Sequence, residues 1–223
     1  MMDESVLFFL KPDAVARRYV SARTLDRLLE TGLHVERFAT VNASRDFLAT
    51  RHYGIHKGRF FYEWLVDYVS SGPVMAVQLR GADAVSIVRQ LLGATLPAEA
   101  GPDTIRGRYG IDGGLNVAHA SDSPDNGRLE VEAWAPLLCA SEDEAPEAQL
   151  RRHISRYLDT PMIDPLRYRE LFTQLSAQSM TAEDARIAFR ALLAKESDVD
   201  DAALRALANV MVASASVRRP EGG

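Results

Sequence analysis

The sequence predicts an α+β fold of the ferredoxin-like βαββαβ type, an antiparallel sheet with helices on one side, followed by an all-α C-terminal extension. Three observations predict it. Apolar runs of strand length alternate with stretches of helical periodicity as far as Trp134; glycine, proline and serine punctuation separates them; and beyond an acidic stretch, four consecutive segments carry apolar residues only at helical spacing.

Val6 to Leu10 is a continuous apolar run, the pattern of a buried strand. Ser21 is placed to cap a helix whose Leu25, Leu28 and Leu29 share a face, and Gly32 to end it. Leu33 to Val41 is β-rich. Asn42, Ser44 and Asp46 introduce a helical region through His56, and Phe61 to Val69 forms another that Gly72-Pro73 stops. Val74 to Leu79 reads as a second buried strand, Asp83 as the start of a helix with Val85, Val88, Leu91 and Leu92 inward, and Leu115 to Ala118 as the last strand.

After Trp134 the pattern changes. Residues 139–148, centred on Glu142-Asp143-Glu144-Ala145-Pro146-Glu147, read as an acidic linker between a domain over 1–138 and a helical extension over 149–216; residues 217–223 read as a disordered tail. In the extension, Leu150, Ile154, Tyr157 and Leu158 share a face, as do Leu171, Phe172 and Leu175, then Ala185, Phe189, Leu192 and Leu193, then Leu204, Leu207, Met211 and Val212. Thr181 is placed to cap the third helix, and Pro161 and Pro165 separate the first from the second. These faces need cover, from the first domain or from a neighbouring subunit.

A formal net charge of -5 over 223 residues argues against a general nucleic-acid or anionic-membrane binder. The single cysteine, Cys139, excludes an internal disulfide framework. The chain opens on Asp3-Glu4 with a short apolar run and has no later stretch of membrane-spanning length, so a cytoplasmic location is expected.

The chemistry centres on Asn116-Val117-Ala118-His119-Ala120-Ser121-Asp122, which sets one histidine among polar groups. A neutral imidazole is a good nucleophile when a partner holds its far ring nitrogen, and Glu130 is a candidate partner. Taken alone, such a histidine is more often a hydrogen-bonded structural residue than a catalytic one. Other residues weigh on the choice: Lys11-Pro12-Asp13 places a cation at the end of the first strand, Arg89 and Arg106 add two more, and Thr95 and Tyr53 offer hydroxyls. A nucleophile with several fixed donors is what phosphoryl transfer requires, and no metal-ligand or thiol spacing competes.

Lys11-Pro12-Asp13, Thr104-Ile105-Arg106-Gly107 and Asn116-x-x-His119-x-Ser121-Asp122-Ser123, in this order and spacing, resemble the signature segments of the nucleoside diphosphate kinase family. The resemblance runs from about Ser5 to Trp134 and implies the same ferredoxin-like fold. It also implies a ping-pong transfer of the γ-phosphate of a nucleoside triphosphate to a nucleoside diphosphate through phosphohistidine at His119. Glu130, chosen over Glu132 by its position relative to Trp134 and supported by Ser121, is implied to hold the imidazole.

Lys11, Tyr53, Arg89, Thr95, Arg106 and Asn116 match family positions that contact phosphates and ribose, and Phe61 matches the aromatic that stacks on the base; Phe60, Phe61 and Tyr62 read equally well as a core cluster at a helix start. Magnesium is implied through the nucleotide phosphates without a carboxylate cage. Asp122 matches an aspartate near that ion, or else caps the helix beginning at Ser123-Pro124. The family's dimers, tetramers and hexamers imply a homo-oligomer. Gly113 and Leu115 depart from the family pattern, which has a small branched residue and an arginine there, and so leave the base slot open. Those departures and the unmatched extension define the alternative: a non-catalytic or specialised nucleotide-binding member, sensor or scaffold, whose C-terminal helices bind a partner protein.

Overall fold

A computed structural model describes residues 3–138 and 144–217. Cys139, half of the expected linker, and 218–223 of the expected tail lie outside the described residues. The strands are β1 (Asp3–Leu10), β2 (His34–Val41), β3 (Val74–Ala82) and β4 (Ala118–Ala120), in the order β2-β3-β1-β4. Every pairing is antiparallel. The helices of the first domain are α1 (Pro12–Ala16), α2 (Arg18–Leu29), α3 (Arg45–Phe47), α4 (Tyr62–Ser70), α5 (Ala84–Leu92), α6 (Ile105–Tyr109) and α7 (Pro124–Trp134); those of the extension are α8 (Pro146–Tyr157), α9 (Pro165–Ser176), α10 (Ala182–Glu196) and α11 (Asp201–Ser214).

Helices cover both faces of the sheet, not one. The alternation along β1 shows why: Val6, Phe8 and Leu10 point into a cluster with Leu25, Leu28, Val85 and Val88, whereas Leu7 and Phe9 point into another with Tyr68, Val69 and Trp134. A strand apolar on both sides needs cover on both sides. The extension supplies part of each. Leu150 and Ile154 of α8 join the first cluster, against α2 and β2, while Tyr168, Phe189, Leu207 and Met211 of α9 to α11 complete the second. The four apolar faces are therefore buried on the chain's own core. Trp64 ties α4 to the last helix by donating its indole N–H to the Val210 carbonyl at 2.9 Å.

Several boundaries differ from the sequence expectation. The helix expected from Ser21 begins at Arg18; Ser21 lies inside it, its hydroxyl bonded to the Arg18 carbonyl and to His153 of α8. Helix α8 begins at Pro146, inside the stretch read as linker, because proline suits the first helical turn. Leu115 lies outside the last strand, which starts at Ala118, because Val117 takes φ 74° and breaks the extended run. Thr181 caps α10 as expected, accepting from the Asp184 N–H. No helix among the described residues is long and apolar enough to cross a membrane.

Helix α7 lies against β1 at Gly127, where a Cβ would stand 2.2 Å from the Ser5 carbonyl oxygen. Glycine is thus required by close approach. Gly127→Ala should lower stability by about 1–3 kcal/mol through overpacking and slow catalysis by lifting α7 from the sheet. Urea unfolding beside a turnover assay checks this; a variant as stable and active as the parent would show that the helix has room to shift.

Candidate active site

Strand β4 sets His119 directly across from Phe9 of β1, and the two rings stack with centroids 4.8 Å apart at 20°. On the far side of the imidazole, Nε2 meets Glu130 Oε2 at 3.0 Å. The same carboxylate oxygen accepts from the Ser121 hydroxyl at 2.6 Å, and Ser121 Oγ accepts in turn from the Leu7 N–H at 3.0 Å. The Glu130 carboxylate is therefore tethered to the backbone of β1. With Nε2–H donated to Glu130, Nδ1 carries the ring's lone pair. Glu132, one helical step away, is exposed.

A second ring supports the first. The π-helical turn Leu48–His52 brings buried His52 edge-on to His119 at 4.5 Å between centroids, and His52 Nδ1 accepts from the Trp134 indole at 3.2 Å. Burial, reinforced by the neighbouring His119 ring, pushes the His52 pKa well below its ordinary value and keeps it neutral. Trp134 also stacks on Phe9. Sequence reasoning passed over His52 and Phe9. The period-two facing of β1, which sends Phe9 to the side opposite Phe8, could have found the latter; nothing local marks a π turn.

The cations sit in an unusual electrostatic setting. Lys11 is buried, and Nζ donates only to neutral acceptors, Asn116 Oδ1 at 2.7 Å and the Gly114 carbonyl at 3.0 Å. Burial first, then the charge of Arg106, lowers its pKa to about 7. Arg106 donates Nη1 to the Gly93 carbonyl and Nη2 to the Ala118 carbonyl, each at 3.0 Å, while its buried Nε has no partner among the described residues. Burial and the neighbouring Arg89 lower the Arg106 pKa to about 10. Two buried cations that lean on carbonyls and repel one another form a site for an external anion. Backbone strain lies beside them: β-branched Val117 holds its positive φ with its carbonyl accepting from the Lys11 N–H at 2.9 Å.

The remaining expected residues are more dispersed. Asn116 links Lys11 to the Thr95 carbonyl through Nδ2 at 2.8 Å; exposed Thr95 contributes its carbonyl to this network. Tyr53 is buried against His52 and lies edge-on to His119 at 6.5 Å, and burial raises its phenol pKa so that it stays neutral. Arg89 is exposed on the last turn of α5 and, with Gly93, Ala94, Asp122 and Pro124, lines a cavity of about 590 Å³ beside the cations. Phe61 is half-buried against His56 and Phe60, while Tyr62 is core, its hydroxyl on the Ala49 carbonyl.

The helix cap is Ser123, whose hydroxyl accepts from the Asn126 N–H, and not Asp122. Asp122 is exposed and accepts from the Asn126 side-chain amide at 2.6 Å, a bond that holds its pKa below the ordinary value. Leu115 is fully buried in the cluster shared with α9 to α11.

A family model described as nucleoside diphosphate kinase matches residues 4–137. The chain belongs to the nucleoside diphosphate kinase family. It is 43% identical over 128 residues to a nucleoside diphosphate kinase of Roseiflexus sp. strain RS-1 and 46% identical over 128 residues to that of Herpetosiphon aurantiacus; each match covers 57% of this chain and 85% of the relative. Among solved structures it is similar to a halophilic nucleoside diphosphate kinase from Halobacterium salinarum in complex with CDP, with 35% identity and a TM-score of 0.57 over 67% of this chain and 99% of that one. The Aquifex aeolicus enzyme gives 34% identity and a TM-score of 0.56, covering 59% and 94%. The ferredoxin-like domain is that of the family, and α8 to α11 lie beyond the family model.

Lys11 is the group whose pKa most directly predicts pH dependence. Its folded pKa, about 7, lies below its unfolded value of 10.5, so between those values the unfolded chain binds more protons. Stability therefore rises with pH through that window, and the cost of the buried charge is full below about pH 7. Lys11→Met should stabilise the protein by on the order of a few kcal/mol at pH 6 and by less at pH 9, and should weaken nucleotide binding at both. Urea melts of parent and variant at the two pH values decide this; a stability difference independent of pH would show that Lys11 is not held as an uncompensated charge.

Proposed function

We propose that this chain is a nucleoside diphosphate kinase that works by a ping-pong mechanism through phosphohistidine at His119. The observation that carries the reading is the hydrogen bond from His119 Nε2 to Glu130 beside two buried cations whose hydrogen-bond partners among the described residues are neutral.

In the first half-reaction, the lone pair on His119 Nδ1 attacks the γ-phosphorus of a nucleoside triphosphate, the bond from that phosphorus to the β–γ bridging oxygen breaks, and the diphosphate leaves. Nε2 keeps its proton throughout. Glu130 stabilises the positive charge that the ring gains, Ser121 fixes Glu130, and Lys11 and Arg106 hold the phosphate oxygens on which negative charge accumulates. In the second half-reaction a terminal oxygen of a different diphosphate attacks the phosphorus, the N–P bond breaks and neutral imidazole returns.

Asn116 keeps the Lys11 ammonium aimed, Arg89 on the cavity wall and the exposed Thr95 meet phosphate or ribose, the Tyr53 hydroxyl donates, and Phe61 offers a ring to the base. Magnesium on the nucleotide phosphates would lower the charge the cations must meet; Asp122, ionised and on the cavity wall beside Arg89, is the residue placed to face it. His52, His119 and Glu130 also have potential metal-ligand atoms within 4.8 Å of one another. The Trp134 bond to His52 and the two bonds already on Glu130 favour reading them as a supported nucleophile. The reading takes 1–138 as the kinase domain and the following helices as an extension of it, in a cytoplasmic homo-oligomer.

Incubation with γ-labelled ATP and magnesium should give a base-stable, acid-labile protein label that passes to added diphosphate and is lost in His119→Ala. Glu130→Gln should keep the fold and slow transfer by about 10- to 100-fold. Full labelling of the alanine variant would remove His119 from the mechanism; a chain that binds nucleotide yet never labels would favour a sensor or scaffold role.

A further inference from the structure

Residues Tyr168 and Arg169 of α9 reach the two segments that carry the buried cations. Arg169 donates Nε to the Gly110 carbonyl at 2.9 Å and Nη2 to the Gly107 carbonyl at 2.7 Å. Both acceptors belong to the C-terminal end of α6, the five-residue helix that carries Arg106. The next carbonyl of that end, from Tyr109, accepts from Arg17 Nη2 at 2.7 Å. Arg17 is buried, reaches Asp13 through the same nitrogen at 3.2 Å, and lies over the Tyr168 ring with its guanidinium carbon 5.3 Å from the centroid. Asp13 in turn accepts from the Tyr68 hydroxyl, and Lys11 Nζ stands 5.7 Å from the centre of the Tyr68 ring.

A helix this short cannot hold itself, because nucleation costs more than one turn of hydrogen bonds returns. Its last carbonyls have no partner within the helix, and a cation at that end suits the helix dipole. Thr104 caps the N-terminal end from within the domain. The C-terminal end is held by Arg17 and by Arg169, and Arg169 comes from beyond the last residue the family model matches. Tyr168 is itself fixed, since it is buried with its hydroxyl on Glu196, whose other carboxylate oxygen accepts from the Ile163 N–H and whose carbonyl accepts from Arg18 Nε.

We propose that Arg169, with Tyr168 beside it, is a positioning residue for the phosphate site: α9 holds the C-terminal end of α6 and thereby sets Arg106, so the extension is a working part of the kinase centre. The inference rests on the proposed kinase function for its kinetic consequence but not for its structural one.

The test compares the full-length parent with Arg169→Ala, Arg169→Lys and, as a control for general loosening of the extension, Leu204→Ala, which removes apolar burial on α11. Hydrogen exchange of the free proteins at residues 105–110 reads the clamp without any catalysis. Exchange there should quicken in Arg169→Ala, partly recover in Arg169→Lys and stay at the parent's rate in Leu204→Ala. In turnover assays Arg169→Ala should lower kcat/KM for the diphosphate by about tenfold, with kcat falling as well because Arg106 holds charge that develops in the transition state, and Arg169→Lys should recover part of the loss. Unchanged exchange and kcat/KM in Arg169→Ala would overturn the proposal, as would equal changes in Leu204→Ala, which would reduce the role to fold stability. A parent without kinase activity would refute the kinase reading, and the exchange comparison would still decide the clamp.

Discussion

The contact between Glu130 and Nε2 of His119 is the interaction on which the rest of the site depends, because it decides which ring nitrogen is free to react. A carboxylate on the end of a helix has many places to go. Here three constraints leave it one: the Ser121 hydroxyl on the same oxygen, the Leu7 N–H behind that hydroxyl, and the approach of α7 to β1 that Gly127 allows. The strand pairing that sets Phe9 opposite His119, and the π turn that brings in His52, then fix the plane of the ring. The geometry of the site is thus an outcome of sheet register and helix packing more than of the local motif.

The cations show the complementary cost. Lys11 and Arg106 are buried on neutral acceptors and repel one another, an arrangement that destabilises the free protein and is relieved when an anion enters. Something must offset it. Much of the second apolar cluster comes from α9 to α11, and the same helices carry Tyr168 and Arg169 to the cation-bearing segments. The extension therefore contributes apolar burial and site alignment through one packed surface.

Much of this was legible in the sequence. Apolar run length marked β1 and β3, the Gly72-Pro73 stop bounded α4, helical spacing marked α5 and the four extension helices, the motifs named His119, Lys11 and Arg106, and position relative to Trp134 singled out Glu130. What was not legible depended on contacts between distant residues. Val117 is β-branched and reads as strand, yet its carbonyl is taken by the Lys11 N–H and its φ is positive, so the last strand starts later than its apolar pattern suggests. Ser21 has the chemistry of a cap but is held inside α2, where His153 of the extension meets it. Cover on both faces of the sheet was implicit in the unbroken run from Val6 to Leu10, but only the packed structure shows which helices provide it. Leu115, whose apolar side chain gave no hint of a partner, is fully buried in the cluster to which α9 to α11 also contribute.

The central claim is that Glu130 occupies Nε2 and leaves Nδ1 as the nucleophile. Nuclear magnetic resonance of protein carrying 15N-labelled histidine, phosphorylated by ATP and read through the 15N–31P coupling, measures the site of attachment directly. The account predicts the phosphate on Nδ1 of His119 with the proton retained on Nε2. A coupling to Nε2, or to a ring nitrogen of any other histidine, would contradict it.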